Sequence, residues 1–265
     1  MYEFDYQRAA SVAEAAQLAK KAKESRFLAG GHTIVPTLKL RLARLTALID
    51  IGRIAELKGI KVDGGTVTIG AGTPHAEVAA SAEVRKAIPA LANLAGHIGD
   101  PQVRNRGTIG GSLANSDPAA DYPAGVLGLG ATIHTNERTI AADDFFKGLF
   151  ETALKPGEII TKVSFPVPER AGYTKFPNPA SRYAIVGVFV SKGKGGVRVA
   201  ATGAYSHARR IPEMEKALSA NFAPDAVAKI AVNPGGLNSD IHASAEYRAH
   251  LVTVMAKRAV QAAAG

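Results

Sequence analysis

Two short glycine turns carry most of the chemistry legible in this chain. Ala29-Gly30-Gly31-His32-Thr33 stands between an apolar run of strand length and a stretch of helical spacing. Unpaired backbone N–H groups converge at such a place, and the dipole of the following helix favours an anion. Thr108-Ile109-Gly110-Gly111-Ser112 is a second turn of this kind, where Thr and Ser hydroxyls add donors to those of the backbone. Glycine lets the main chain pass close to a phosphate oxygen and adopt positive φ. Neither turn follows G-x-G-x-x-G or G-x-x-x-x-G-K-[ST], so dinucleotide-fold and P-loop readings do not fit. Taken singly, Gly-Gly after a strand is more often a plain turn, and either turn alone is a weak signal. Taken together, and lying in different parts of the chain, they have the reach to grip the two phosphates of one dinucleotide.

Other catalytic constellations are missing. The chain has no cysteine, which removes disulfides, thiolate-held zinc, Cys-ligated iron–sulfur clusters and cysteine nucleophiles together. His75, His97, His134, His207, His242 and His250 lack the i, i+4 pairing of a metal site and read as structural or surface residues. No nucleophile elbow supports Ser-His-Asp catalysis. His32 lies inside a phosphate-type turn, where the backbone is the expected participant, so it is given no acid–base role. Asp117 and Asp121 sit at turn-forming positions and read as Asx-turn or helix-capping residues, and Asp121 precedes an expected helix.

The elements that must position these turns follow from pattern. Ser11-Val12-Ala13-Glu14 is a capping box opening a helix to about Glu24. Arg26–Ala29 is an expected strand, Thr33 an expected cap for a helix running through Leu38 and Leu42, and Ala47–Ile51 another strand, giving an αβαβ unit over about 10–51. Ile60, Val62, Val67 and Ile69 alternate around Asp63-Gly64-Gly65, a hairpin signature. Helices are expected from Thr73-Pro74 through Ala80 and over Val84–Ala95, interrupted near Pro89. Gly96 to Pro123 shows little periodicity and reads as a long irregular, functional segment. A hairpin around Asn136-Glu137, a strand over Glu158–Phe165, a Pro-rich boundary over Pro166–Pro179, strands over Tyr183–Ser191 and Val197–Tyr205 and a mostly helical remainder complete the expectation.

With 265 residues and 46% apolar content the chain can bury a sizeable core. No apolar window approaches the length of a bilayer span, and Met1, Glu3, Asp5 and Arg8 do not make a secretory leader, so a cytoplasmic protein is expected. The net charge of +9 suits an anionic partner. It is spread along the chain with few aromatics and no Trp, which is not the footprint of a nucleic-acid binder.

The string Gly99-Asp100-Pro101-Gln102-Val103-Arg104-Asn105-Arg106-Gly107-Thr108-Ile109-Gly110-Gly111, followed by Asn115-Ser116-Asp117-Pro118-Ala119-Ala120-Asp121, resembles the central signature of the FAD-binding medium subunits of carbon monoxide dehydrogenase, xanthine dehydrogenase and related molybdenum hydroxylases. Ala29–Thr33 with Pro36 and Arg41 is similar to their first flavin loop. Lys155-Pro156-Gly157-Glu158-Ile159-Ile160, Ser181-Arg182-Tyr183-Ala184-Ile185-Val186 and the late Glu246-Tyr247-Arg248 extend the resemblance over nearly the whole chain.

The resemblance implies an α+β protein: a vanillyl-alcohol-oxidase (PCMH)-type FAD-binding domain over 1–169, made of α/β subdomains at about 1–55 and 56–169, and a small C-terminal α+β domain over 170–265. It implies that Ala29, Gly30, Gly31, His32 and Thr33 on one side and Thr108, Ile109, Gly110, Gly111 and Ser112 on the other hold the FAD pyrophosphate, and that Gly99 also contacts the cofactor. Asp121, Ile160, Lys175 and Tyr183 would be further flavin contacts, with Asp121 accepting from a flavin or ribose donor, Lys175 placing a cation near the cofactor and Tyr183 lying against its ring. From the residues alone, Tyr183 reads as strand packing, and Arg104 and Arg106 as solvated, paired with a carboxylate such as Asp100, or facing a partner.

Such a subunit carries no metal of its own. It would take electrons from the [2Fe–2S] clusters of a small subunit, fed by a large molybdenum-cofactor subunit, and pass them to an external acceptor within a dimer of heterotrimers. The lack of cysteine speaks against the 4-hydroxybenzoyl-CoA reductase type, whose medium subunit carries an inserted iron–sulfur loop. The alternative is a stand-alone flavin oxidase or dehydrogenase of the same superfamily, but the residues after Arg170 are few for a substrate domain.

Overall fold

The computed structural model describes residues 1–264. It opens with β1 (Asp5–Arg8), α1 (Val12–Lys21), β2 (Ser25–Leu28), α2 (Ile34–Lys39) and β3 (Ala47–Asp50). The three strands form a parallel sheet in the order β1-β3-β2. The Ser11 hydroxyl caps α1 by accepting from the Glu14 N–H at 3.1 Å. β1 was not expected: its sequence Asp-Tyr-Gln-Arg is polar and it sits on a sheet edge, so no apolar alternation announces it.

β4 (Ile60–Asp63) and β5 (Thr66–Gly70) form the expected hairpin. Gly64 and Gly65 turn it at φ +53° and +81°, the pair of positive values that a two-residue turn of matching twist requires. Helices α3 (His75–Ala80), α4 (Ala82–Ala87) and α5 (Pro89–Gly96) follow, with Pro89 starting a new helix at the expected interruption.

The segment from Gly96 to Pro123 is not structureless. It contains α6 (Pro101–Arg104), α7 (Ile109–Asn115) and the start of α8 (Tyr122–Leu129). The first two are capped by the Asp100 carboxylate and the Thr108 hydroxyl. They are too short and glycine-rich to show helical periodicity, which is why the sequence hides them.

β6 (Thr132–Thr135), β7 (Thr139–Ala141), α9 (Ala142–Phe145), the small ribbon of β8 (Phe146–Gly148) with β9 (Glu151–Thr152), and β10 (Ile160–Pro166) come next. An antiparallel sheet in the order β4-β5-β10-β6-β7 results. Its buried face, including Val67, Ile69, Ile133, Val163 and Phe165, packs with Leu91, Leu94, Ile109, Leu113 and Val126 in the largest apolar core.

The remainder contains β11 (Arg170–Pro177), β12 (Ala184–Gly193), β13 (Gly196–Thr202), β14 (Arg209–Arg210), α10 (Pro212–Ala220), α11 (Pro224–Val227) and α12 (Ala245–Ala264). The four strands are antiparallel in that order. β11 falls inside the Pro-rich passage expected to be a boundary; the prolines bracket an edge strand instead of a linker. Residues 228–244 are largely irregular, so the tail is less helical than expected. β12 is buried on both faces: Val186, Val188 and Val190 meet Val252, Met255 and Ala259 of α12, while Phe189 joins the first core beneath α8. No helix among the described residues is long and apolar enough to cross a membrane.

Candidate functional site

The chain leaves β2 and enters α2 through Ala29–Thr33. Gly31 adopts φ +76°, and a Cβ on Gly30 would lie 2.1 Å from the Arg106 carbonyl oxygen. The first glycine turn therefore rests directly against the segment leading into the second. Among the described residues, the N–H groups of Gly30, Gly31, His32 and Thr33 donate to no acceptor. Thr33 is the N-cap of α2 as expected, yet its hydroxyl makes no capping bond. His32 is exposed, with Nδ1 at 3.3 Å from the Gly30 carbonyl oxygen. Four consecutive free donors and a positive φ give this turn the shape of a cradle that can receive an anion.

The second turn differs from the expectation. The N–H groups from Ile109 to Ser112 are spoken for: Ile109 donates to the Thr73 oxygen at 3.3 Å, Gly110 to Ala71 at 2.8 Å, and Ser112 to Thr108 at 3.0 Å. Gly111 donates to the Thr108 hydroxyl at 3.1 Å. Thr108, Ile109 and Gly110 are buried; only Gly111 and Ser112 reach the outer side. The turn is thus a rigid wall: the backbone donors from Ile109 to Ser112 are spent on holding it, and the Thr108 hydroxyl accepts one of them. Gly110 is needed for that close approach, since a Cβ there would stand 2.6 Å from the Ala71 Cβ.

Between the wall and the C-terminal sheet lies a buried polar node. Asp121 is at the N-cap of α8 without a capping bond. Its carboxylate instead accepts from Lys175 Nζ at 2.9 Å and from the Tyr173 hydroxyl. Lys175 Nζ also donates to the His97 oxygen at 2.8 Å and the Arg182 oxygen at 2.9 Å. Burial raises the Asp121 carboxyl above its ordinary range, with Lys175 and Tyr173 working in opposition. Burial, then the Asp121 charge, likewise pushes the Tyr173 hydroxyl well up. Lys175 therefore does not present a free cation: its charge is matched by Asp121.

Tyr183 stands just before β12 and is 47% exposed. It is not a core residue. Arg182 beside it takes the left-handed φ of +64°. The Asn178 side chain accepts from Ala180 and Ser181 N–H and shapes the loop that presents the tyrosine. Gly99, at φ +50°, offers its oxygen to Arg104 at 3.0 Å and Arg182 at 3.3 Å. Arg104 thus serves backbone carbonyls and does not pair with Asp100, whose carboxylate caps α6. Asp117 makes the expected Asx turn, accepting from Ala119 at 2.8 Å. Ile160 opens β10 inside the main core, 5% exposed, so its side chain lies under the site and not on its surface.

Sequence reasoning missed the burial of His75. Its N–H donates to Gly107 at 3.0 Å, its ring lies against Gly107, and its centroid is 5.3 Å from that of Tyr122. Neither His75 Nδ1 nor the Tyr122 hydroxyl has a partner. Burial first, then the charges of His32 and Arg104, lower its pKa to about 4. Only its place as the first residue of α3, beside the second turn, hinted at this. No cluster of His, Cys, Asp or Glu suited to a metal occurs among the described residues.

The comparisons agree on one relationship. Residues 2–168 match the family described as the FAD binding domain in molybdopterin dehydrogenase. The carbon monoxide dehydrogenase medium chain of Hydrogenophaga pseudoflava is 36% identical, over 98% of this chain and 96% of that one. The nicotine 6-hydroxylase medium subunit of Paenarthrobacter nicotinovorans is 35% identical, over 96% and 95%. Among solved structures, quinoline 2-oxidoreductase from Pseudomonas putida 86 superposes with a TM-score of 0.90 at 29% identity, covering 99% of this chain and 97% of that one.

Proposed function

The chain belongs to the FAD-binding family of molybdopterin dehydrogenases and is an FAD-binding oxidoreductase subunit of the α+β fold expected; from that premise we propose that it is the electron-exit subunit of a molybdenum hydroxylase complex. It works there between a small [2Fe–2S] subunit and an external acceptor, with substrate oxidised in a large molybdenum-cofactor subunit. Two copies of each subunit make a cytoplasmic dimer of heterotrimers. Residues 1–169 form the FAD-binding domain, with subdomains at about 1–55 and 56–169, and 170–265 the C-terminal domain.

The residues present fit FAD. The observation that carries the reading is the run of free N–H groups from Gly30 to Thr33 beside a backbone contact that tolerates no Cβ. Ala29–Thr33 would hold the pyrophosphate, with Gly99 and the Thr108–Ser112 wall fixing the opposite side through Gly111 and Ser112. Tyr183, half exposed on its shaped loop, would lie against the ring system. Asp121 and Lys175 would line its edge from the buried node, and Ile160 would support it from the core. When bound, FAD accepts electrons one at a time and releases them as a pair. The protein's part is to set position, dielectric and access.

Acid extraction of the purified chain tests the cofactor assignment: FAD near one equivalent is expected, and FMN or no flavin overturns it. Co-expression with the two partners tests the electron route. The chain alone should lack substrate turnover and the reconstituted complex should regain acceptor reduction. Substrate turnover by the chain alone would favour the stand-alone oxidase reading.

A further inference from the structure

The loop after α2 carries features that the cradle does not use. Arg41 N–H donates to the Leu38 oxygen at 3.1 Å and Leu42 N–H to the Thr37 oxygen at 3.0 Å, which together make a Schellman helix end. The residue in its left-handed position is ordinarily glycine. Here it is Arg41, at φ +59°. The residue that ordinarily packs back on its own helix is Leu42, and it is 74% exposed, with Leu40 at 69%. The loop thus retains a side chain at a strained position and turns two leucines outward.

The charges around it are also unbalanced. The guanidiniums of Arg41 and Arg44 both lie over the Tyr2 ring, 5.7 and 5.4 Å from its centroid. Neither forms an ion pair among the described residues. Two cations ordered on one ring repel, and a carboxylate brought between them gains from both. Leucines flanking unpaired arginines are the composition of an interface core with charged specificity groups. α2 begins at the cofactor cradle and is only six residues long, so the loop lies about 9 Å along its axis. A partner seated there stands one short helix from the end of the cradle.

We propose that Leu40, Arg41, Leu42 and Arg44, with Tyr2, form the docking surface for an acidic face of the small iron–sulfur subunit. The proposal rests on the reading of this chain as that subunit's electron acceptor. The two are tested apart by purifying the three-subunit complex through a tag on the small subunit. Leu42→Asp and Arg44→Glu should each weaken capture of this chain by about tenfold or more while FAD content stays at the parental level. Arg41→Gly should raise the thermal midpoint of the isolated chain, because the helix end is relieved, and still weaken capture. Parental capture of all three variants overturns the proposal. So does selective loss of the large subunit, or a change confined to self-association of this chain, since each assigns the patch to another occupant. Failure of the unmutated chain to be captured at all overturns the underlying reading instead.

Discussion

Lys175 Nζ lies 2.9 Å from the Asp121 carboxylate, with only 4% and 5% of the two side chains exposed. The pair joins β11 to the start of α8, and the same ammonium holds the carbonyls of His97 and Arg182. Four parts of the chain therefore meet at one nitrogen. Buried ions are costly to desolvate, and this geometry offsets the cost only while every donor and acceptor is in place.

Removing one partner should expose that cost. Lys175→Met leaves a buried carboxylate with only the Tyr173 hydroxyl, and a loss of about 3–5 kcal/mol is expected in urea unfolding. The double variant Asp121→Leu with Lys175→Met should recover much of it, since both charges are gone. A single variant as stable as the parent would show that solvent already screens the pair.

The two glycine turns should respond differently to a methyl group. Gly30→Ala drives a Cβ to within 2.1 Å of the Arg106 oxygen, where backbone meets backbone and no side chain can yield. Gly111→Ala meets only the Thr108 hydroxyl, at 3.0 Å. Flavin content after purification should fall at least tenfold for Gly30→Ala and about twofold or less for Gly111→Ala. Equal losses would place the phosphate grip on the second turn.

Acid should destabilise the flavin-free chain in two windows. His75 is held neutral, with a folded pKa of about 4 against an ordinary 6.5. The unfolded chain therefore takes up a proton that the folded one refuses, and stability is lost as pH falls from 6.5 towards 4, by up to about 3 kcal/mol. Burial would raise Glu158, but hydrogen bonds from Arg138, the Lys155 N–H and Thr135 outweigh it and hold it at about 2. Its contribution is complete above 4.5 and lost as pH falls from there towards 2. Urea midpoints across this range should show both windows, and His75→Gln should abolish only the upper one.

How far the sequence reveals this molecule depends on the range of the interaction. The Ser11 cap, the Gly64-Gly65 hairpin and the Pro89 break are local and could be read directly. β1 and β11 could not, because edge strands need little apolar alternation and proline is tolerated there. The glycine turns were found from their residue types, while their unequal roles depend on acceptors such as Ala71 and Thr73 far away in sequence. The same is true of Lys175, whose ion pair is with a carboxylate 54 residues away. Of the burial of His75 its position gave only a hint, because its surroundings come from Gly107 and Tyr122.

The proposed place of Tyr183 against the flavin ring can be tested apart from folding. Its main-chain oxygen accepts from Asn178 N–H at 2.8 Å, which fixes the loop, while 47% of the residue is exposed and its hydroxyl makes no hydrogen bond among the described residues. Truncation should therefore barely affect folding: Tyr183→Ala is expected within about 0.5 kcal/mol of the parent in stability. Its effect should appear in access. With the ring removed, the enzyme-bound flavin loses cover on one face, so reoxidation of the reduced complex by dioxygen, followed by stopped-flow absorbance, should accelerate several-fold at unchanged FAD content. Tyr183→Phe keeps the cover and should match the parent. Loss of FAD from Tyr183→Ala would mean that the ring grips the cofactor; an unchanged rate in both variants would place it away from the flavin altogether.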